Sequence, residues 1–330
     1  MHRRGMTAAL ALLALPGCSQ AQPSDPGSPL VLERTIPLPE TRGRIDHLAI
    51  DLADRNLFVA EVANGTVDEV DLRTGKVAGR IAGLSEPQGV AWLAHERELV
   101  VACGDGTVHF YAADLRELAR IDLGEDADNV RIDPRNGHVI IGYGTGGLAT
   151  IDPASHTILA RLILPGHPEG FRLFGSRAYI NLPDRGAIIA ADIDQGRELA
   201  RWPTGLHRLN FPLAVDPSGQ SITIAYRLPA ALATLDTASG RTLAMHPACG
   251  DADDLFLVGD HVLLICGAGH VDVFSKEGGS QRLQTAGGAR TGLYVPELNR
   301  LFVAVPARGR PAAIWSFRLN LPRSPANPGS

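Results

Sequence analysis

Short apolar segments separated by turn residues recur along almost the entire chain. A typical unit opens with residues 48–50 (LAI), continues with 57–60 (LFVA) and 66–71 (TVDEVD), and closes with 77–81. Gly, Pro, Asp and Asn lie between these segments, and no long helical periodicity interrupts them. The pattern predicts an all-β chain built from four-stranded antiparallel units.

The second strand of the unit recurs seven times. Its copies begin at Leu57, Leu99, Val139, Ala178, Ile222, Leu263 and Leu301. Successive copies are 38 to 44 residues apart, close to the roughly 40–45 residues of a four-stranded propeller blade. The spacing therefore predicts a seven-bladed β-propeller that occupies residues 29–320 as one domain.

The seventh unit has three strands, at 292–295, 301–305 and 312–319, followed by a polar tail at 321–330. Residues 30–38 (LVLERTIPL) precede the first unit and have no blade of their own. We predict that this N-terminal strand completes blade seven, because ring closure removes two exposed sheet edges. The tail is predicted to be disordered, since it is short, polar and rich in Pro.

The first full unit carries a family resemblance. Residues 57–92, LFVAEVANGTVDEVDLRTGKVAGRIAGLSEPQGVAW, resemble the repeat of YVTN-repeat (YncE-like) propellers, which have a WD40-like architecture. The family unit has a T-V-x-V-x-D strand, a T-G-K turn and a P-x-G-x-A segment, and this chain has TVDEVD at 66–71, TGK at 74–76 and PQGVA at 87–91. Weaker echoes occur in blades two, three and five. The resemblance covers roughly residues 30–319 and implies the fold. It implies little about function, because propellers host many unrelated activities.

The N-terminal segment has the pattern of an export signal. A basic start at 1–4 precedes an apolar stretch at 8–15, which is too short to span a bilayer. Residues 15–18 (LPGC) resemble the lipobox of bacterial lipoproteins. That resemblance implies removal of residues 1–17 and lipidation of Cys18. The alternative is an ordinary secretory signal in which this cysteine is incidental.

The segment after the cysteine predicts location. Residues 18–28 are small, polar and proline-rich, which is typical of a flexible tether. Ser19 is not Asp, and by the same lipoprotein resemblance this favours the outer membrane over retention in the inner one. We therefore expect a periplasmic protein that contacts the membrane through its lipid anchor.

The charge and the cysteine content of the chain limit which partners, cofactors and crosslinks we expect. The formal net charge is −5 and no basic run follows the N-terminus, so we expect no nucleic-acid partner. There is no CxxCH motif and no pair of close-spaced cysteines, so neither covalent haem nor structural zinc is indicated. Cys249 and Cys266 flank one predicted hairpin and could form a disulfide in an oxidising compartment. The alternative is that these two and Cys103 are buried thiols.

Candidate chemistry lies where each blade begins. Aligning the seven units on their second strands gives the residues that precede each first strand and face the channel mouth. These are Asp46, Gln88, Asp128, Glu169, the Asn210/Phe211 pair, Asp253 and Arg290. Adjacent or slightly earlier positions add His47, Asn129, Asp254, His167 and Asp251.

Several carboxylates at one mouth repel each other, so their negative charge must be offset. A hard cation such as Ca²⁺ or Mg²⁺ could bind them, Arg290 could pair with one of them, or crowding could keep some protonated. A hydrated polar channel is the alternative, because Asp and Asn also favour turns before strands. Four further aspartates, Asp71, Asp152, Asp192 and Asp236, end third strands, and this repetition indicates turn chemistry.

Three functional hypotheses remain open. In the first, the mouth binds a small ligand, a metal or an envelope protein through Asp46, His47, Gln88, Asp128, Asn129 and Arg290. In the second, by analogy with propeller lactonases, Glu169, Asn210 and Asp253 hold a divalent ion for a lactonase or lyase reaction. His167 or Glu169 would then move the proton, although the HPEG sequence around them is also typical of a turn. In the third, the protein is an envelope scaffold.

Overall fold

A computed structural model describes residues 27–321, which form 28 strands and three short 3₁₀ turns. The predicted signal peptide, Cys18 and most of the tether and tail lie outside this range. The strands group into seven four-stranded antiparallel sheets, so the predicted all-β, seven-bladed β-propeller is confirmed. No helix within residues 27–321 is long and apolar enough to cross a membrane.

Each blade runs from an inner strand at the channel to an outer strand at the rim. The N-terminal strand is β1 (Leu30–Pro37). Blade one comprises β2 (Leu48–Asp51), β3 (Asn56–Glu61), β4 (Thr66–Asp71) and β5 (Lys76–Ala82). Blade two comprises β6 (Pro87–Leu93), β7 (Glu98–Cys103), β8 (Thr107–Ala112) and β9 (Glu117–Asp122). Blade three comprises β10 (Ala127–Ile132), β11 (Val139–Tyr143), β12 (Gly147–Asp152) and β13 (Thr157–Ile163).

The remaining blades repeat this order. Blade four comprises β14 (Phe171–Phe174), β15 (Arg177–Leu182), β16 (Ala187–Asp192) and β17 (Arg197–Pro203). Blade five comprises β18 (Arg208–Val215), β19 (Ser221–Leu228), β20 (Ala230–Asp236) and β21 (Thr242–Pro247). Blade six comprises β22 (Ala252–Val258), β23 (His261–Cys266), β24 (His270–Ser275) and β25 (Gly279–Gln284). Blade seven comprises β26 (Gly292–Val295), β27 (Arg300–Val305) and β28 (Ala313–Leu319). The 3₁₀ turns are Val62–Asn64, Pro183–Arg185 and Pro296–Leu298.

Blade seven is completed from both ends of the chain. Strand β1 pairs antiparallel with β28, from Leu30 opposite Leu319 to Pro37 opposite Ala313. The predicted ring closure is therefore confirmed. Leu319 also donates its N–H to the carbonyl of Asn299, in the turn between β26 and β27, at 3.2 Å. That turn is at the end of the channel opposite the mouth, so the first and last described strands begin and end on the face opposite the mouth.

The core lies between neighbouring blades. Seven apolar clusters occupy these interfaces within the described chain, and Phe58 of blade one stacks on Trp92 of blade two at 5.3 Å between ring centroids. A middle strand such as β3 is covered on both faces, so five of its six residues are buried. This is why second strands read as continuous apolar runs, whereas the outer strand β21 is fully exposed.

Two of the three described cysteines are oxidised. Cys249 and Cys266 form a disulfide with a Cα–Cα distance of 5.9 Å, so the alternative of two buried thiols is wrong for this pair. Cys103 is a buried free thiol, and burial raises its pKa to about 12. The disulfide joins the loop that enters β22 to the end of β23, next to the mouth.

Candidate functional site

A polar cavity of about 190 Å³ lies at the channel mouth. All seven blades contribute to its wall. The predicted residues that the structure brings together there are Asp46, His47, Gln88, Asp128, Asn129, His167, Glu169, Phe211, Asp253, Asp254 and Arg290. The alignment of the blades therefore predicted side chains that line one cavity, and their role as a binding site stays a prediction.

Glycines allow the blades to converge so closely. A Cβ atom on Gly170, directly after Glu169, would lie 2.2 Å from the carbonyl oxygen of Phe211 in the next blade. A Cβ atom on Gly89, directly after Gln88, would lie 1.8 Å from the carbonyl oxygen of Asp128. Glycine in the P-x-G sequences at 87–89 and 168–170 thus allows neighbouring backbones to touch and brings the preceding polar side chain to the channel.

Asn210 does not reach the mouth. Its side chain is fully buried and donates to Asn181 Oδ1 at 2.8 Å and to the Ala187 carbonyl at 3.0 Å, so it packs between blades. The register shift after Asn210 in β18 is also present after Ala127 in β10 and after Ala252 in β22. Asn210 is thus the counterpart of those two buried alanines, and Phe211 is the counterpart of Asp128 and Asp253. Phe211 takes the lining position, so placing Asn210 among the mouth residues was wrong.

Asp126 and Asp251 begin the sequences DADN (126–129) and DADD (251–254), and both contact side chains of the mouth. Asp126 accepts a hydrogen bond from Gln88 Nε2 at 2.8 Å. Asp251 accepts from Arg290 Nη1 at 3.0 Å. Neither serves only its own turn, so both belong to the polar rim.

Sequence reasoning missed four arginines that line the cavity: Arg44, Arg131, Arg172 and Arg227. Arg131 and Arg172 lie two residues beyond Asn129 and Gly170 on inner strands, where the period-two alternation returns a side chain to the same face. Arg227 is on a second strand, β19, which the alignment of first strands ignored. The strand period could have identified the first pair.

Three of the mouth arginines are ion-paired. Arg227 Nη2 lies 2.6 Å from Asp253 Oδ1, and its guanidinium also stacks over Phe211 at 3.5 Å from the ring centroid. Arg290 Nε lies 3.2 Å from Asp253 Oδ2. Arg44 pairs with Asp46. Blades five, six, seven and one therefore largely neutralise their own charges.

Arg131 and Arg172 differ from the other three. Both donate to the Phe171 carbonyl, from Arg131 Nε at 3.1 Å and from Arg172 Nη1 at 2.9 Å. Within residues 27–321, neither has a carboxylate oxygen within 4.0 Å. Burial and the neighbouring Arg172 lower the pKa of Arg131 to about 9, and burial lowers the pKa of Arg172. Blades three and four thus hold two adjacent cations that lack a direct carboxylate partner among the described residues, although Asp254 attracts both from a longer distance.

Three carboxyl groups at the mouth resist ionisation. Burial, together with nearby carboxylates, raises the pKa of Asp128, of Glu169 and of Asp253 to about 7 each. Asp128 is 8% exposed, and its Oδ1 has no hydrogen-bond partner in the described chain. These groups can exchange protons at neutral pH, which is the range that acid–base chemistry requires.

Two histidines complete the site. His47 lies between two carboxylates, with Nε2 3.9 Å from Asp128 Oδ1 and Nδ1 3.9 Å from Asp254 Oδ2. Burial opposes its charged form, but these carboxylates and Asp46 prevail and raise its pKa. His167 Nδ1 lies 2.6 Å from the Gly144 carbonyl. A carbonyl only accepts, so Nδ1 carries a proton, and in the neutral imidazole Nε2 is an acceptor.

No group of three or more His, Cys, Asp or Glu residues in the described range is arranged to hold a metal ion. Of the predicted ligands, Glu169 and Asp253 line the cavity and Asn210 does not. The Ca²⁺ or Mg²⁺ site stays a prediction.

Comparison with known proteins supports the fold alone. No protein-family model matches the sequence, and no curated protein matches it. Among solved structures, a chain of Kuenenia stuttgartiensis hydrazine synthase superposes with a TM-score of 0.76 at 15% sequence identity. The match covers 91% of this chain and 100% of that chain. At this identity the likeness shows a shared architecture and carries no activity with it.

Proposed function

We propose that this protein is an exported, lipid-anchored propeller that binds a small polar ligand in the cavity at its channel mouth. The observation that carries the proposal is the charge density of that cavity. Five arginines and six carboxylates of the described chain line a cavity of about 190 Å³, and Oδ1 of Asp128 is buried there without a hydrogen-bond partner. Such groups destabilise the folded state, and uncompensated polar groups of this kind are concentrated at functional sites.

The anchor and the family are part of the same proposal. The lipobox-like sequence at 15–18 and the tether at 18–28 support lipidation of Cys18 and a periplasmic, outer-membrane location. The buried disulfide suits an oxidising compartment. The described chain begins on the face opposite the mouth, so an anchored molecule would present its mouth away from the membrane. The repeat at 57–92 supports a relationship to YVTN-repeat propellers.

Calorimetry and thermal melts of the mature protein would test ligand binding. The probes are succinate, inorganic phosphate, glycine, glycine betaine, glucose and, after chelation, Ca²⁺, Mg²⁺, Mn²⁺ and Zn²⁺. A probe at a hundred times its dissociation constant stabilises by about 2.7 kcal/mol. We expect at least one probe to stabilise the wild type and to lose that effect in Asp128→Asn and Glu169→Gln. Glu297→Gln, on the exposed opposite face, should respond as the wild type.

If no probe stabilises the protein, or if the mouth variants respond as Glu297→Gln does, the mouth proposal fails and the scaffold hypothesis gains. Anchoring is tested separately by metabolic labelling with a palmitate analogue. We expect label on the wild type and none on Cys18→Ser. Label on neither protein would indicate an ordinary secretory signal.

A metal-dependent lactonase or lyase is the second candidate. The observation that favours it is the pKa of about 7 for Glu169 and for Asp253, which suits general acid–base catalysis. An ion at Asp253 would have to compete with Arg227 and Arg290. Stabilisation by a divalent ion that is lost in Asp253→Asn would support this candidate and justify lactone hydrolysis assays.

A further inference from the structure

We propose that Arg131 and Arg172 form an oxyanion subsite, which binds a carboxylate or phosphate group of the ligand. The inference rests on the proposed function and specifies the chemistry of what the mouth holds. It concerns the part of the cavity wall that blades three and four supply.

Two guanidinium groups lie side by side because they share one hydrogen-bond acceptor. Arg131 Nε and Arg172 Nη1 both donate to the carbonyl oxygen of Phe171, at 3.1 Å and 2.9 Å. Both side chains line the cavity. Two like charges held together in a partly buried site repel each other. An anion that binds between them is attracted to both, and this attraction offsets the repulsion.

The other mouth arginines serve as an internal comparison. Arg44, Arg227 and Arg290 each have a carboxylate partner within hydrogen-bonding distance. Arg131 and Arg172 have none within 4.0 Å among the described residues, although six carboxylates line the same cavity. Asp254 attracts both arginines, and Asp128 attracts Arg131, only from beyond that distance. The place of a direct carboxylate partner is therefore open to an anionic ligand at this part of the wall.

The hydrogen-bonding capacity is also unused. A guanidinium presents five N–H donors in a fixed fork that matches carboxylate and phosphate oxygens. Arg172 uses one of them on the Phe171 carbonyl in the described structure. Arg131 uses three, on Phe171, Val130 and Asn129. Donors therefore remain on both residues for an oxyanion.

A second, independent group indicates a ligand at the same cavity. Asp128, at the start of the strand that carries Arg131, has a buried Oδ1 without a hydrogen-bond partner. Glu169 precedes the strand that carries Arg172 and lines the same wall. A ligand with an oxyanion at one end and an O–H or N–H donor at the other would satisfy both the arginines and Asp128.

The test is calorimetric titration of the mature protein with acetate, succinate and inorganic phosphate in a low-chloride buffer. We expect saturable binding of at least one of these probes. Arg172→Gln and Arg131→Gln should each weaken it by about tenfold or more, because hydrogen bonds to charged groups contribute about 1.5–3 kcal/mol. Arg172→Lys should restore part of the affinity. Arg201→Gln, on an exposed outer strand, should bind as the wild type.

Stability without ligand gives a second readout that needs no identified ligand. Removing one of two repelling cations should raise the melting temperature of Arg172→Gln by about 2 °C in oxyanion-free, low-salt buffer. The increase should shrink as the bound probe is added. A purely structural arginine would instead lower the melting temperature when replaced.

The outcomes separate the two proposals. Binding of acetate or succinate alone identifies a carboxylate ligand, and binding of phosphate alone identifies a phosphorylated one. Equal oxyanion binding by the wild type and Arg172→Gln, or a lower melting temperature of that variant, overturns the subsite. A neutral or cationic probe that binds the wild type and Arg172→Gln but not Asp128→Asn would also overturn it, while the mouth would remain a binding site.

Discussion

Acidic residues lie at both ends of the blades, and their pKa values are shifted in opposite directions at the two ends. At the end opposite the mouth, Asp71, Asp152 and Asp236 close third strands and accept hydrogen bonds from the turn that follows. These bonds lower the pKa of each. At the mouth, the pKa of Asp128 and the pKa of Glu169 are raised to about 7 because both are buried beside other carboxylates.

The difference separates a structural use of acidic residues from a functional one. A turn carboxylate bonds to backbone N–H groups in water, so its charge stabilises the fold. At the mouth, Asp128 and Glu169 lose solvent and have no Arg or Lys partner within 4.0 Å among the described residues, so their charges destabilise the fold. Repetition along the chain identified the first kind correctly, and the structure confirms Asp71, Asp152 and Asp236 as turn residues.

The comparison depends on a closed ring, and the largest predicted effect comes from opening it. Removing residues 29–39 deletes β1 and leaves β28 as an unpaired edge in blade seven. It also removes Ile36 and Leu38, which pack in the cluster between blades seven and one. We expect a shortened chain that lacks the cooperative melt of the wild type or aggregates on heating. An unchanged melting temperature would show that the ring does not need this strand.

The second prediction uses pH to separate the two ends. Because the folded-state pKa of Asp128 is about 7 against 3.8 for the ordinary group, the folded protein holds more protons between these values. Stability should therefore fall as pH rises from about 4 to about 7 and then level off. A shift of about three units corresponds to at most about 4 kcal/mol for one carboxyl. Neighbouring carboxyls share this penalty.

Asp128→Asn is the variant that tests this. We expect it to melt several degrees above the wild type at pH 7.5 and close to the wild type at pH 5, where Asp128 is already protonated. Melting curves at half-unit pH intervals would show the crossing. A variant that is less stable than the wild type at pH 7.5 would show that the Asp128 charge is compensated in the fold.

The third prediction concerns the covalent support of the mouth. The disulfide between Cys249 and Cys266 joins the loop that carries Asp251, directly before Asp253 of β22, to the end of β23. A crosslink that closes a loop of this length contributes about 3 kcal/mol. Reduction should lower the melting temperature of the wild type and weaken any ligand held at the mouth. In the control, Cys249→Ala combined with Cys266→Ala, the reductant should change nothing further.

The fold was predictable because its main signal is physical and repeated. Middle strands are buried on both faces, so LFVA at Leu57 and again at Leu301 marks a blade without reference to the rest of the sequence. The closing strand was predictable from counting strands, because blade seven had only three strands and the N-terminal strand belonged to no other blade. The lipidated N-terminus is a separate prediction that lies outside the described residues.

The site was only partly predictable. Counting back from second strands found Asp46, Glu169 and Asp253, because every blade enters the channel at the same point. It failed at Asn210 because, after the register shift that several blades share, Phe211 is the counterpart of Asp128 and Asp253. It missed Arg131 because the alignment considered one position per strand, whereas the alternation exposes every second residue to the channel.

The smallest predicted effect is at the turn end and should have the opposite sign to that of Asp128. Asp236 accepts the Ser239 N–H at 2.8 Å, and its lowered pKa means that its stabilisation is present above about pH 4 and is lost as pH falls. Asp236→Ala should therefore lower the melting temperature by about 1–2 °C at pH 7, the scale of a surface substitution. The difference should narrow at pH 3, and oxyanion binding should not change. If Asp236→Ala and Asp128→Asn shift the melting temperature in the same direction at pH 7.5, the two ends of the blades do not differ as the structure indicates.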